Sequence, residues 1–306
     1  MSSEDRERWQ GIAWMLASTV MLTANHASIR FISAELHPFE ITFFRNLLGV
    51  AFVLPMLIPN RFAGLRTQRP MGHFIRALFN AGFMLCYFVG LSVVPLADAT
   101  ALGFTGPLAA AILASVLLKE KLSIWKIVGL LLGFAGVLVI VRPGAGMFSW
   151  GALLILLSSV FFGLVMVSVR DLARTESSLT ITAYVAIFLV PITLVPAISV
   201  WQWPSWPQFL MLCVMAFFAT LGQLALSRAS KLAETSVIMP VDFVRIVWAF
   251  AIGSLLFGDR ISSAVFAGAM LIFAGACIAA IFGKQAPRPT VPGGTAPDIS
   301  PKQIGN

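Results

Sequence analysis

Residues 96–118 read LADATALGFTGPLAAAILASVLL, and Asp98 is the only charged residue among them. A helix rises about 1.5 Å per residue, so this stretch is long enough to cross a bilayer core about 30 Å thick. No water reaches that depth, and a spanning segment must satisfy its own backbone groups as a helix. Nine further stretches share the pattern. The set runs 9–31, 39–59, 71–93, 96–118, 124–141, 148–169, 179–200, 205–226, 234–257 and 262–282. Together they fill most of the 306-residue chain and predict an all-α membrane protein of ten transmembrane helices.

Composition agrees. Hydrophobic residues make up 58% of the chain and charged residues 11%, against about 25% charged in a soluble domain. Mean hydropathy is +0.90. The net charge of +8 does not indicate nucleic acid, because the basic residues sit in the connections between spans. Cys86, Cys213 and Cys277 all lie inside apolar stretches without metal-ligand spacing, and read as small buried hydrophobes. Residues 2–8 carry mixed charge, and the first apolar stretch is too long for a cleaved signal.

Charge in the connections predicts orientation. The second holds Arg61, Arg66 and Arg69, the fourth Lys119, Lys121 and Lys126, the sixth Arg170 and Arg174, and the eighth Arg228 and Lys231. The odd connections hold only Arg142 and Arg260. Basic residues favour the cytoplasmic side, so the even connections and both termini are expected there. The tryptophans near span ends, Trp9, Trp14, Trp125, Trp150, Trp201, Trp203 and Trp206, read as interface anchors.

The opening stretch has a copy. Residues 96–100 (LADAT) parallel 232–236 (LAETS), and the charged turn 120–123 (EKLS) parallels 259–262 (DRIS). The next helices share glycine spacing, Gly129 and Gly136 against Gly268 and Gly275. Five spans per copy is an odd number, which inserts the second copy upside down. The expected division is a cytoplasmic tail at 1–8, a first five-helix repeat at 9–141, a second at 148–283, and a disordered cytoplasmic tail at 284–306. Inverted repeats typically enclose a midplane binding site and support alternating access.

With these motifs the chain resembles the drug/metabolite transporter superfamily, specifically its EamA-type members, over about 11–282. The carriers are the five-plus-five spans, the segments 95–99 (PLADA) and 232–235 (LAET), the turns 119–122 (KEKL) and 258–261 (GDRI), the glycine-spaced helices after them, and Phe44-Arg45 in the second span. The resemblance implies a transporter of a small solute. It also implies that Arg45 faces a central cavity rather than the outer headgroups.

Polar residues inside the spans are the candidate site, because a charge near the bilayer centre normally faces a cavity or a partner. Asp242 and Arg245 share one face of the ninth span. They read either as a mutually neutralising pair or as a site in which Arg245 grips an anion and Asp242 orients it or carries a proton. Trp248, one turn on, either stacks on a bound ring or fills space. Asn80 and Tyr87 line one face of the third span, with Arg76 nearer its end as an anchor. Asn25 and His26 lie in the first span, and His26 is a second candidate for proton coupling. Thr105 and Gln223 complete the candidate substrate-binding set. Pro107 and Pro240 sit at matched depth in the fourth and ninth spans. A broken helix in each repeat is the strongest sequence pointer to a transporter site.

No Walker-type phosphate loop, metal-ligand cluster or nucleophile elbow appears, so no cofactor, metal or catalytic group is expected. The reading is a secondary, non-ATP transporter in the bacterial inner membrane. It would move a small polar metabolite, an amino acid or an organic anion, with protons as the candidate coupling ion and export favoured. Uptake and an integral-membrane lipid-modifying enzyme are the alternatives. Membrane lipid is the expected surrounding, nucleic acid is not a partner, and the oligomeric state is open.

Overall fold

A computed structural model describes residues 3–57, 67–117, 124–141, 149–176, 178–232, 241–259 and 262–281. Among the described residues every regular element is a helix. They are α1 (Ser3–Ile32), α2 (Pro38–Leu57), α3 (Pro70–Val93), α4 (Leu96–Gly103), α5 (Gly106–Leu117), α6 (Ile124–Val141), α7 (Trp150–Leu172), α8 (Ser178–Ile198), α9 (Trp206–Leu232), α10 (Val244–Phe257) and α11 (Ser263–Ile281). Each of the ten apolar stretches holds helix. Among the described residues, five helical segments are long and apolar enough to cross a membrane: Pro70–Val93, Leu96–Leu117, Trp150–Leu172, Thr180–Ile198 and Trp206–Leu226. Residues 3–8, expected as a tail, continue α1. Pro240, the turn at 118–123 and the tail at 284–306 lie outside the described residues.

The bundle is apolar outside and partly polar inside. Large side chains such as Leu131, Trp150, Val195 and Leu255 are exposed, while Ser18, Thr23, Asn25, Thr42, Asn46 and Ser158 are buried. The buried hydroxyls mostly bond back onto their own helices, as Thr23 does to Thr19 O at 2.7 Å and Thr42 to Pro38 O at 2.8 Å. Such local bonding lets polar side chains sit where no water competes.

Helix pairing follows one rule. The first helix of each half packs on the third helix of the other, as α1 on α9 and α7 on α3. Second meets second (α2 on α8), fourth meets fourth (α4 on α10) and fifth meets fifth (α6 on α11). The like-numbered pairs run antiparallel. Asp259, just after α10, meets the start of α4 at Leu96, while Phe104 at the end of α4 meets Phe243 before α10. On α6 and α11, a Cβ at Gly275 would lie 2.4 Å from Gly129 O, and one at Gly268 would lie 2.6 Å from Gly136 O. A twofold axis perpendicular to the helices produces this pattern, and two inverted copies fit it.

The fourth span is split. Phe104 and Thr105 form a turn, donating to Ala101 O at 3.2 Å and Leu102 O at 3.0 Å in tightened three-residue steps. Pro107 has no N–H to give Gly103 O, so an unbroken helix would leave that carbonyl without its usual donor. Proline is well suited to the first turn of α5 instead. Sequence reasoning expects a bend here, and the structure shows a break two residues earlier.

A candidate substrate cavity between the two halves

The break in the fourth span borders a cavity of about 440 Å³. It is walled by both halves: Asn25 and His26 from α1, Arg45 from α2, Asn80 and Tyr87 from α3, Gly103, Phe104 and Pro107 at the break, Ser158 and Ser159 from α7, Gln223 from α9, and Asp242 and Arg245 at the start of α10. Eight of the polar side chains picked out in the sequence therefore reach one space. Sequence spacing grouped them only pairwise, within single helices.

The charges are arranged unequally. Arg245 donates Nη2 to Asp242 Oδ2, and its guanidinium lies 5.2 Å from the Phe104 ring centre. Both readings of this pair therefore meet, since it is an ion pair and it also lines the cavity. Arg45 makes no ion pair among the described residues. Its Nη1 has only Asn46 Oδ1 at 3.5 Å and the Met84 sulfur at 3.8 Å, and the Phe88 ring lies 5.9 Å away. The charged side chains on the wall, Arg45, Asp242 and Arg245, leave one positive charge in excess. Four wall atoms are buried without a hydrogen-bond partner: Asn25 Oδ1, Arg45 Nε, Asp242 Oδ1 and Arg245 Nε. Buried polar atoms normally have partners, so a cluster of unfilled ones around one cavity marks where a ligand would supply them. His26 Nδ1 lies 3.4 Å from the Tyr87 hydroxyl.

Two candidates fall elsewhere. Trp248 is absent from the wall; its Nε1 donates to Thr19 Oγ1 at 3.2 Å, so it ties α10 to α1 from behind the site. The i, i+3 step from Arg245 turns it onto α1. Thr105 is also off the wall; its hydroxyl donates to Leu102 O at 2.6 Å and sits 2.8 Å from Ser159 Oγ, bracing the break. Arg76, nearer the start of α3, donates Nη1 to Ile181 O at 2.8 Å. Trp201 packs against Phe43 and Phe44.

Sequence reasoning missed the aromatic part of the wall: Phe83, Phe88, Phe104 and Phe162. Phenylalanine is everywhere in this chain, 25 residues in all, so no local signal singled these out. It also missed the clasp at one end of the bundle. Arg30 pairs through both Nη atoms with the Asp259 carboxylate, Nη2 at 2.8 Å from Oδ1, and the Leu96 N–H donates to Oδ2 at 3.1 Å. Gly258, at φ 65°, turns the chain so that Asp259 folds back to donate its own N–H to Gly253 O at 3.0 Å. Arg30 and Asp259 belong to different halves, and spacing alone does not join them. At the opposite end Arg69 Nη2 bonds Asp171 at 2.6 Å and Thr67 donates to Glu176 at 2.6 Å. Among the described residues no cluster of His, Cys, Asp or Glu is placed to hold a metal.

The EamA-like transporter family model matches residues 9–142 and again 149–281. The chain belongs to the EamA-like transporter family. As a member, it is an integral, multi-pass membrane protein whose curated relatives are transporters. It is 26% identical over 262 residues to an S-adenosylmethionine uptake transporter of Rickettsia bellii, covering 86% of this chain and 90% of that one. It is 28% identical over 271 residues to a riboflavin transporter of Vibrio cholerae, covering 86% and 90%. It is 28% identical over 277 residues to a pseudopaline exporter of Pseudomonas aeruginosa, covering 88% and 95%. One solved crystal structure shares the fold of this chain, with a TM-score of 0.57 over 92% of this chain and 98% of that one at 22% identity.

Proposed function

We propose that this EamA-like protein is a secondary transporter, not an enzyme, that moves a small metabolite bearing an anionic group, an amino acid or an organic anion. It works by alternating access through the cavity between its two repeats, 9–141 and 148–283. The ten apolar stretches all cross the membrane, and both termini lie in the cytoplasm of a bacterium. The single observation that carries the substrate class is Arg45. A guanidinium buried without an acidic partner among the described residues is costly to leave uncompensated, by several kcal/mol, and its planar fork matches a carboxylate or phosphate. Asp242 already meets Arg245, so an incoming anion has Arg45 as its natural partner.

The lack of a nucleotide-binding motif leaves the solute's own gradient, or a proton gradient, as the driving force, with Asp242 and His26, both on the wall, as the proton-coupling candidates. Export is the favoured direction by resemblance, while relatives are named for both uptake and export. Flux into and out of proteoliposomes, measured with a panel of amino acids and organic anions with and without a pH gradient, tests the reading. Arg45→Ala and Arg245→Ala are expected to abolish flux while inserting normally. Wild-type flux in either variant would remove that arginine from the site.

A further inference from the structure

The unfilled atoms on the cavity wall are not all donors, and this limits the substrate more tightly than charge does. Arg45 Nε and Arg245 Nε are buried donors, while Asp242 Oδ1 and Asn25 Oδ1 are buried acceptors. Arg245 shares a wall with Asp242, whereas Arg45 stands apart from both acceptors. Arg45 stands on α2 against Met84 and Phe88 of α3. Asn25 stands on α1 and Asp242 just ahead of α10, and α1 and α10 pack on each other. Asp242 spends only one oxygen on Arg245, leaving the other buried and without a hydrogen-bond partner.

Resting on the transporter reading above, we infer that the substrate is a zwitterion. Its carboxylate goes to Arg45, and its ammonium group goes to Asp242 Oδ1 and Asn25 Oδ1. Its apolar body lies among Phe83, Phe104 and Phe162. A simple organic anion would satisfy Arg45 and strand both acceptors. A simple amine would fill the acceptors and strand Arg45. A site built to hydrogen-bond a group discriminates strongly against the analogue that lacks it, because its own buried partners are then left unpaired. The aromatic rings add contact for a flat body and sit close to both arginines, as Phe88 does to Arg45 and Phe104 to Arg245. The volume, about 440 Å³, falls within the usual small-molecule range.

The test uses the full-length protein purified in detergent and matched probes that differ in one charge. L-phenylalanine is compared with 3-phenylpropionate, which lacks the ammonium, and 2-phenylethylamine, which lacks the carboxylate. S-adenosylmethionine, larger and carrying a sulfonium beside its zwitterionic head, is compared with S-adenosyl-4-methylthio-2-oxobutanoate, in which a ketone replaces the ammonium. Affinities come from calorimetry, with ligand-induced thermal stabilisation as a second readout. At least one zwitterion is expected to bind about 10-fold or more tighter than its stripped analogues. Asp242→Asn is expected to bring L-phenylalanine and 3-phenylpropionate, or the S-adenosylmethionine pair, to within about 3-fold of each other, and Arg45→Gln to weaken the zwitterion.

A stripped analogue binding as tightly as its zwitterion, or neither zwitterion binding, overturns the inference. An unchanged ratio in a folded Asp242→Asn variant overturns it too. The same probes are then followed as flux in proteoliposomes. Transport of 3-phenylpropionate with no preference for L-phenylalanine sinks the zwitterion and leaves the transporter standing. A clear zwitterion preference in binding with no flux of any probe does the reverse.

Discussion

The two halves of this chain meet both along the α6–α11 seam and across the α4–α10 wall, and the two junctions are made of opposite chemistry. At the seam, glycine faces bring backbones into contact, and a Cβ at Gly136, Gly268 or Gly275 would fall within 2.7 Å of a carbonyl oxygen across it. Small residues are what lets helices approach this closely when lipid removes the hydrophobic drive between them. At the wall, the fourth helix breaks, Phe104 and Phe243 meet at 4.9 Å, and Arg245 and Asp242 face open space. The seam has no slack and holds the halves together. The wall is underfilled and has polar atoms to spend on a ligand. One fold therefore keeps a stiff contact and a responsive one side by side.

Substitutions at three contacts probe that contrast, in falling order of effect. Gly275→Leu should break the seam. A side chain driven into Gly129 O has no flexible neighbour to displace, and overpacking of this kind costs about 3 kcal/mol or more. The check is yield of monodisperse protein and its thermal midpoint in detergent. A stable, wild-type-like variant would mean the helices part easily and the seam is not the stiff junction. Asp259→Asn comes next. It removes a carboxylate that binds both Arg30 and the Leu96 N–H, so it joins α1, α4 and the end of α10. A loss of about 2 kcal/mol is expected, read as a lower thermal midpoint, with Arg30→Gln giving a similar shift. If neither variant moves the midpoint, the clasp contributes nothing. Trp248→Phe is the smallest. It deletes one hydrogen bond to Thr19, worth about 0.6 kcal/mol between membrane helices. Flux should stay at the wild-type level. A collapse of flux would instead place the indole in the substrate path.

Legibility differed along the same line. The seam could be read from Gly129, Gly136, Gly268 and Gly275, because a spacing of seven residues returns to one helix face and marks a stripe without knowing its partner. The cavity was half legible. Arg45, Asp242 and Arg245 stood out because charge is rare at that depth, and Asn25, His26, Asn80, Tyr87 and Gln223 stood out as polar residues in apolar stretches. Trp248 and Thr105 show the limit. Both lie within a turn or two of true wall residues, and only the rotation of each helix against its neighbours decides that one braces α1 and the other Ser159. The wall phenylalanines were hidden for the contrary reason, since nothing in composition separates a ring facing a cavity from one facing lipid.

Sequence alone determined that this chain lives in a bilayer as helices, that its second half repeats its first, and that a few charges are held where only a cavity or a partner tolerates them. Length, hydropathy and internal likeness are properties of the chain and need no neighbour to be read. Only the tertiary structure decided which of those charges are matched. Arg245 found Asp242 three residues away, Arg30 found Asp259 across 229 positions, and Arg45 found no acid among the described residues. Pairing depends on distance through space, and two inverted bundles folded against each other set that distance independently of separation along the chain.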